Sequence, residues 1–292
     1  MPKLSRKTSD RIFIGCVVTP AMLFFGLVIY YPFFKNVYYM FFDYNYIKEP
    51  VFVGWDNIIR FFHDSQAHTA FRNTFVITLC SVPLVISVAL VLAVAVFNLK
   101  IGRNFVRSSL FVTYLVPAVV AGVVFKLLFG TEIGFINVFL QSVGLNRVEW
   151  LTSPGLATLT IVLVHLWNHA GYYMVIFLSG LSNIDTQLYE AAKVDGAGTL
   201  RTFFSITVPQ LKPSIIFSAI YATISYMKTY AIVQILTEGG PYRSTETVIK
   251  YMFDIGFGSR EVGYASVISV ALFLVMLVIA LIQIKVTRYM DE

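Results

Sequence analysis

The residues from Asn73 to Phe97 read NTFVITLCSVPLVISVALVLAVAVF. These 25 residues include no Asp, Glu, Lys or Arg. A helix that crosses the hydrocarbon core of a bilayer takes about 20 residues, so an uncharged apolar run of this length predicts a transmembrane helix. Pro83 lies inside the run, where a neighbouring helix can satisfy the carbonyl that it frees.

Five further apolar runs of helical length lie elsewhere in the chain. The predicted spans are about 12–31, 73–97, 108–129, 157–180, 213–236 and 264–284. The whole chain is 57% hydrophobic and 13% charged, with a mean hydropathy of +0.74, whereas soluble domains are about 25% charged. The composition therefore excludes a water-soluble protein and predicts an all-α integral membrane protein with six crossings.

The distribution of basic residues predicts the orientation of these crossings. One set of loops, predicted to be cytoplasmic, comprises 1–11, 98–107, 181–212 and 285–292, and the other comprises 32–72, 130–156 and 237–263. Lys and Arg number 12 over 61 residues in the first set and 8 over 95 in the second. Since basic residues concentrate on the cytoplasmic side, both termini are predicted to be cytoplasmic. The net charge of +6 then reflects membrane orientation and indicates no nucleic-acid partner.

The predicted cytoplasmic loop 183–212 has the signals of two short helices. The Asp185 carboxylate is placed to cap the first helix. Gly196 or Gly198 is placed to end that helix in a left-handed turn. The Thr199 hydroxyl is placed to cap the second helix.

Two interpretations of this loop follow from its residues alone. Pro209 is expected to stop the second helix. The pair of helices then either lies on the inner membrane surface or enters a groove of another protein. Ala191 and Ala192 beside Glu190 form a small-residue surface that suits a groove. The residues leave both interpretations open.

Several separated motifs resemble one family of transporters. Glu190-Ala191-Ala192, followed by Gly196, Ile206 and Val208-Pro209, resembles the EAA loop of importer permeases of the ATP-binding-cassette class, with Val208 where leucine is usual. Further motifs resemble markers of the carbohydrate branch, of maltose and glycerol-phosphate type: Tyr31-Pro32-Phe33-Phe34-Lys35-Asn36, Phe52-Val53-Gly54-Trp55-Asp56-Asn57 and Leu236-Thr237-Glu238-Gly239-Gly240-Pro241. The resemblance covers nearly the whole chain.

The resemblance implies a type I importer permease core of six helices in a prokaryotic cytoplasmic membrane. In that family the EAA loop supplies a coupling helix that sits in a cleft on an ATPase subunit. The contact residues that it implies are Glu190, Ala191, Ala192, Asp195, Gly196 and Ala197. The implied partners are a second homologous permease, two ATP-binding-cassette ATPases that use ATP and Mg, and an external sugar-binding protein.

The chain lacks the sequence signatures of an enzyme that uses ATP or a dinucleotide. It has no Gly-x-x-x-x-Gly-Lys-Ser/Thr phosphate loop, and Gly196-Ala197-Gly198 lacks the third glycine and the preceding strand of a dinucleotide site. His165 and His169 share a helix face, but no third ligand points to zinc. We therefore expect no catalytic residue, cofactor or metal in this chain, and ATP hydrolysis in a partner.

Polar residues inside the fourth and fifth spans mark the candidate pathway for the solute. Such residues are costly in a bilayer and usually face the bundle interior or a wet cavity. The candidates are Asn168, Tyr172, Tyr173, Tyr226, Lys228 and Thr229. In similar sugar permeases the corresponding helices contribute the central site, but hydrogen bonding between helices explains each residue equally well.

The sequence therefore predicts a permease subunit that translocates a mono-, di- or oligosaccharide. Another polar solute, such as glycerol phosphate, is the alternative within transport, and Lys228 gives it some support. A membrane-embedded enzyme or a stand-alone channel is the alternative from another class of protein. The enzyme requires a convergent acid–base or metal set, and the channel works without nucleotide.

Overall fold

The computed structural model describes residues 6–289, which are mostly helical. Parts of the predicted cytoplasmic ends, residues 1–5 and 290–292, lie outside the described residues. The chain divides into two compact units. The first comprises Met1–Asp64 and Met252–Phe273, and the second comprises Ser65–Tyr251 and Leu274–Glu292.

The chain begins with a long apolar helical stretch and a small sheet. Its elements are α1 (Arg6–Phe25), a π-helical turn (Gly26–Tyr30), α2 (Tyr31–Tyr39), the antiparallel strands β1 (Phe42–Asp43) and β2 (Val51–Phe52), and α3 (Asp56–His63). The helical stretch extends beyond the predicted span 12–31. Pro32 lies in the first turn of α2, where its fixed φ and its missing N–H are tolerated.

The middle of the chain contains the longest helices. Its elements are α4 (Ser65–Phe97), α5 (Arg103–Leu115), α6 (Ala118–Leu128), α7 (Phe135–Ser142) and α8 (Pro154–Leu181). The predicted span 108–129 is interrupted, since α5 and α6 are bent by 96°. Val116 is extended, with φ −71° and ψ 121°, because the ring of Pro117 disfavours the helical conformation of the residue before it.

The last third of the chain alternates short helices with two long ones. Its elements are α9 (Thr186–Val194), α10 (Thr199–Thr202), a π-helical turn (Phe203–Thr207), α11 (Val208–Gln210), α12 (Lys212–Met227), α13 (Ala231–Leu236), α14 (Val248–Phe253), a further π-helical turn (Asp254–Gly258) and α15 (Val262–Tyr289). The predicted span 213–236 is wrong as a single helix, because α12 ends at Met227 and α13 begins only at Ala231.

Within residues 6–289, four helical stretches are long and apolar enough to cross a membrane. They are Phe13–Tyr39, Ser65–Phe97, Pro154–Leu181 and Val262–Val286. Two bent pairs raise the number to six if each pair crosses as one span. The first pair is α5 with α6, and the second is the helical run Thr199–Gln210 with α12, bent by 69°.

The core of the second unit forms where α4, α8 and α12 pack together. On α4, Val85, Ala89, Ala93 and Val96 are buried at helical spacing on one face. They pack in one cluster with Tyr173 and other residues of α8 and α12. Lipid is as apolar as these side chains, so the association depends on close packing, which small residues permit.

The contact between α5 and α8 is closest at Gly171. A Cβ atom built on Gly171 would lie 2.0 Å from the Leu110 carbonyl oxygen and 2.6 Å from its carbonyl carbon. Real Cβ atoms do not approach backbone atoms so closely. Gly171 therefore lets the two helix backbones touch.

We expect Gly171→Ala to lower the free energy of unfolding by about 2 kcal/mol, because α8 must move away from α5. Gly155→Ala, on the same helix, is the matched control, since a Cβ there meets nothing within 4 Å. The measurement is thermal unfolding of the purified protein in detergent. Equal Tm values for the two variants would contradict the close contact.

Candidate functional site

The first half of the predicted coupling loop, residues 183–212, has the predicted caps. The Asp185 carboxylate accepts a hydrogen bond from the backbone N–H of Gln187 at 2.9 Å, at the start of α9. Gly196 follows the helix with φ +73°, a left-handed conformation that glycine adopts easily. The Ala197 N–H donates to the Ala192 carbonyl at 2.9 Å and closes the turn. Gly196, and not Gly198, is therefore the turn residue.

The second half of this loop differs from the prediction at two residues. Thr199 is the first residue of the helix and does not cap it, because Gly198 occupies the N-cap position and no side-chain hydrogen bond caps this helix. The other difference is at Pro209. The helical run that begins at Thr199 continues through a π-helical turn to Gln210, so Pro209 does not stop it. The π-helical turn has already shifted the hydrogen-bond register, and Pro209 lies in the first turn of the new α-helical segment, where proline is tolerated.

Side-chain contacts fasten the loop to the long helices. The Tyr189 and Thr207 hydroxyls, one from each half, are 3.2 Å apart and hydrogen-bonded. Ile184 and Phe203 pack against the core cluster of α4, α8 and α12. Leu211, which is fully buried, joins the loop to α12. These contacts therefore tie the two halves of the loop to each other and to the core that α8 and α12 share.

The predicted contact residues lie on the outer part of this loop. Glu190, Ala191, Asp195 and Gly196 are exposed, whereas Ala192 and Ala197 are half-buried. Large apolar side chains are exposed on the same segment, and the exposed fraction of Val194 is 88%. The surface therefore combines small, acidic and apolar groups in a fixed arrangement.

Asn168, a predicted pathway residue, is buried on α8. Its side-chain amide donates to the backbone carbonyls of Thr113 at 2.8 Å and Val116 at 3.3 Å. These carbonyls lie at the break between α5 and α6. Asn168 therefore supplies a donor to the Val116 carbonyl and a second donor to the Thr113 carbonyl, which also accepts from the Val116 N–H at 3.3 Å.

A buried polar network surrounds Thr229, another predicted pathway residue. The imidazole of His165 shares hydrogen bonds with the Thr229 hydroxyl at 3.0 Å and with the Ser81 hydroxyl at 3.3 Å. The Thr247 hydroxyl donates to the Thr229 carbonyl at 2.9 Å. These contacts join α4 and α8 to the break after α12. Both ring nitrogens of His165 therefore have hydroxyl partners.

The remaining predicted pathway residues fall into buried and accessible groups. Tyr173 and Tyr226 are fully buried, and the Tyr226 ring stacks on His165 with centroids 4.6 Å apart. Tyr172 is half-buried. Lys228 lies in the break between α12 and α13, and it is exposed. The expectation that Lys228 lies inside a transmembrane helix is therefore wrong.

Four aromatic rings, including that of Tyr172, form a strip across three helices. We call Phe217, Tyr221, Tyr172 and Tyr114 the aromatic strip; their consecutive ring centroids are 6.3, 5.8 and 4.5 Å apart. Of these four residues, only Tyr172 is among the pathway residues that the sequence predicts. Phe217 and Tyr221 are four residues apart on α12, a spacing that places both on one helix face.

The sequence of the chain matches known proteins over most of its length. Residues 85–288 match the family described as the inner membrane component of binding-protein-dependent transport systems. The chain belongs to this family. It is thus a permease subunit of an importer powered by ATP-binding-cassette subunits and is not itself an enzyme.

Several members of this family have clear overall similarity to the chain. The sulfoquinovosyl glycerol transport system permease protein SmoG of Agrobacterium fabrum is 33% identical, over 97% of this chain and 92% of its own. The diacetylchitobiose uptake system permease protein NgcF of Streptomyces coelicolor is 31% identical, over 98% of this chain and 86% of its own. The arabinooligosaccharides transport system permease protein AraP of Bacillus subtilis is 30% identical, over 97% of this chain and 90% of its own.

A solved structure has the same fold as this permease. It is the crystal structure of a bacterial alginate ABC transporter in complex with an alginate pentasaccharide-bound periplasmic protein. One of its chains matches with a TM-score of 0.88 and 20% identity, over 100% of this chain and 99% of that chain. The predicted type I permease fold is therefore confirmed.

We expect Asn168→Leu to destabilise the permease by about 1 kcal/mol, because inside the membrane the Val116 carbonyl loses its side-chain donor and the Thr113 carbonyl loses one of its two donors. Asn98→Leu is the control, since the amide of Asn98 is exposed and donates to the nearby Val94 carbonyl. Thermal unfolding in detergent measures both. A Tm for Asn168→Leu equal to that of the control would show that the hydrogen bonds of Asn168 do not contribute to the stability of the fold.

Proposed function

We propose that this permease imports a sugar. The observation that carries the proposal is identity of 30% or more, over nearly the full length of the chain, to SmoG, NgcF and AraP. The names of these relatives refer to a glycosyl glycerol, an amino-sugar disaccharide and arabinose oligomers. Their common chemistry is a sugar with several hydroxyl groups.

The proposed assembly contains this chain, a second homologous permease and two ATPases. The ATPases bind ATP and Mg, and the outer part of loop 183–212 enters a cleft on one of them. An external sugar-binding protein delivers the substrate. The rigid attachment of the loop to α8 and α12 supports a coupling role, because a rigid element transmits the movement of an ATPase to the membrane helices.

The proposed orientation has both termini in the cytoplasm of a prokaryotic cell. The higher density of Lys and Arg in the loops on that side supports it. Loop 183–212 then faces the cytoplasm, where ATP is available. Closure of the ATPases would rock this permease against its partner and switch the pathway between its two openings.

The proposed pathway residues have two kinds of role. Tyr172 and Lys228 are accessible, so they are the ones that contact the sugar directly. Asn168, Tyr173 and Thr229 are buried, and so is Tyr226. These four hold the wall of the pathway in shape. Phenol and amine groups are suited to hydroxyl partners, since both donate hydrogen bonds.

An anionic solute such as glycerol phosphate is the second candidate. The exposed ammonium group of Lys228 favours it, because an amine binds phosphate as a point charge. The alternatives of an enzyme and a stand-alone channel have no such support. Uptake that requires ATP separates the importer from both.

Vesicles that contain the complete purified transporter, with its binding protein outside, test the proposed function. We expect uptake of labelled sugar only with ATP. We also expect Gly196→Val to lower uptake and stimulated ATPase activity severalfold, because a β-branched residue strains the φ of +73° and distorts the turn after α9.

Gly198→Val is the matched control for this variant. Gly198 has φ −69° and ψ 164°, which valine adopts without strain. A Cβ at either glycine meets nothing within 4 Å, so the two variants differ in backbone strain and not in crowding. Wild-type coupling in Gly196→Val would refute the coupling role.

We expect Lys228→Met to lower the maximal rate of uptake about tenfold, because the solute loses a charge-assisted hydrogen bond. The control is Lys126→Met, since Lys126 forms a 3.6 Å ion pair with Glu238 at the surface. Uptake of a neutral sugar and of glycerol phosphate is measured for each variant. Full activity with unaltered substrate preference in Lys228→Met would exclude a role in substrate contact.

A further inference from the structure

A cavity lies between loop 183–212 and the ends of α4 and α8; we call it the loop cavity. Its volume is about 430 Å³, and ligand pockets in proteins range over about 300–1,000 Å³. Its apolar wall consists of Val94 and Phe97 of α4, Leu181 of α8 and Phe203 of the π-helical turn. None of its lining residues is a predicted pathway residue, so the loop cavity is separate from the proposed pathway.

The remaining wall of the loop cavity is polar and uncharged. It includes the hydroxyl-bearing side chains of Tyr189, Thr199 and Thr202 from the loop and the amide of Asn98 from the end of α4. Hydroxyl and amide groups donate hydrogen bonds to ester and phosphate oxygens. The cavity therefore suits a ligand that has an apolar chain at one end and oxygen acceptors at the other.

The segment 98–107, which connects α4 to α5, combines basic and apolar residues. It contains Lys100, Arg103 and Arg107 and no Asp or Glu. Its large apolar side chains are nevertheless accessible, since the exposed fractions of Ile101 and Phe105 are 90% and 77%. Exposed apolar side chains among positive charges are typical of a segment that lies on an anionic membrane surface.

Arg103 brings one of these charges to the edge of the loop cavity. The central carbon of its guanidinium group lies 4.9 Å from the centroid of the Phe97 ring, which lines the cavity. Arg103 is half-buried. No carboxylate among residues 6–289 pairs with it. A guanidinium group that is held over a ring keeps its N–H donors available for a phosphate.

The level of the loop cavity favours a lipid as its occupant. α4 ends at Phe97 and α8 ends at Leu181, so the cavity lies where these helices leave the membrane. In the proposed orientation this is the cytoplasmic leaflet, whose anionic lipids attract basic segments. The residues implied in ATPase contact are exposed on the outer part of the loop, whereas Tyr189 and Phe203 of the cavity wall are half-buried.

We propose that the loop cavity binds an anionic phospholipid of the inner leaflet. One acyl chain packs against Val94, Phe97, Leu181 and Phe203, and the phosphate accepts hydrogen bonds from Arg103. Lys100 and Arg107 add positive charge around the headgroup. The inference rests on the proposed orientation of the chain, but it does not depend on which solute is imported.

A lipid in this position touches both the end of α4 and the second half of the coupling loop. Phe97 and Phe203 lie on opposite sides of the acyl chain, so the lipid fills the space between a membrane helix and the loop. An empty cavity leaves that space without packing and lets the loop yield when the ATPase moves. Anionic lipid should therefore improve coupling.

Fluorescence quenching tests the binding step in the complete transporter. Phe97→Trp places an indole in the wall of the cavity, and Phe75→Trp, on the same helix outside the cavity, is the matched control. The probes are brominated phosphatidylglycerol and brominated phosphatidylcholine, each at the same fraction in an otherwise unbrominated mixture. The fluorescence of the native tryptophans is common to both variants and is measured in the wild type.

We expect brominated phosphatidylglycerol to quench Phe97→Trp severalfold more than brominated phosphatidylcholine does, and to show no such preference for Phe75→Trp. Adding Arg103→Gln to Phe97→Trp should abolish the preference, because the phosphate loses its charged donor. Equal quenching of Phe97→Trp by both lipids would overturn the inference, since it indicates an ordinary lipid boundary. A preference that survives Arg103→Gln would overturn the assigned site.

Stimulated ATPase activity tests the consequence in variants that keep Phe97. The complete transporter is placed in phosphatidylcholine vesicles with or without phosphatidylglycerol. We expect phosphatidylglycerol to raise the activity severalfold in the wild type and in the control Arg147→Gln, which removes an exposed charge from the predicted external loop 130–156. Arg103→Gln should show little increase.

Three outcomes of this second experiment contradict the inference. They are an equal increase in Arg103→Gln, no increase in the wild type, and an increase produced by soluble glycerol phosphate, which would show that a free phosphate and not a lipid is bound. A wild-type transporter without stimulated activity in either lipid refutes the proposed function instead. Quenching of Phe97→Trp still decides on lipid binding in that case.

Discussion

The requirement that polar groups inside a bilayer find partners within the protein governs the second unit. Water is absent there, so a backbone carbonyl freed by a helix break needs a donor from a neighbouring helix. Asn168 supplies that donor where α5 stops before Pro117. The Thr247 hydroxyl does the same for the Thr229 carbonyl after α12, and the His165 imidazole hydrogen-bonds the Thr229 hydroxyl. Both interruptions are therefore parts of the fold that other helices stabilise.

The parts of the structure that follow local rules could be predicted from the sequence. The apolar run from Asn73 to Phe97 lies within one helix, and Asp185 and Gly196 bound α9 by capping chemistry that involves only nearby backbone groups. Pro209 was expected to stop a helix because that rule assumes an α-helical register. The π-helical turn before it changes the register, and the sequence contains no clear signal for such a turn.

The features that depend on distant residues could not be predicted in the same way. Residues 213–236 have the composition of one continuous span, and the break at Lys228 depends on partners from α4, α8 and the segment before α14. The aromatic strip has the same origin. The spacing of Phe217 and Tyr221 is visible in the sequence, but their continuity with Tyr172 and Tyr114 exists only when three helices are packed.

The backbone contact at Gly171 limits where this unit can change shape. A glycine that lies against the Leu110 carbonyl leaves no layer of side chains between α5 and α8 at that point. Side chains between two helices can change rotamers as the helices slide. Two backbones in direct contact have no such freedom. The two helices must therefore travel as one body. We expect a rearrangement that opens this unit and keeps this contact to turn at the interrupted segments, Val116–Pro117 and Lys228–Tyr230, where the helices end.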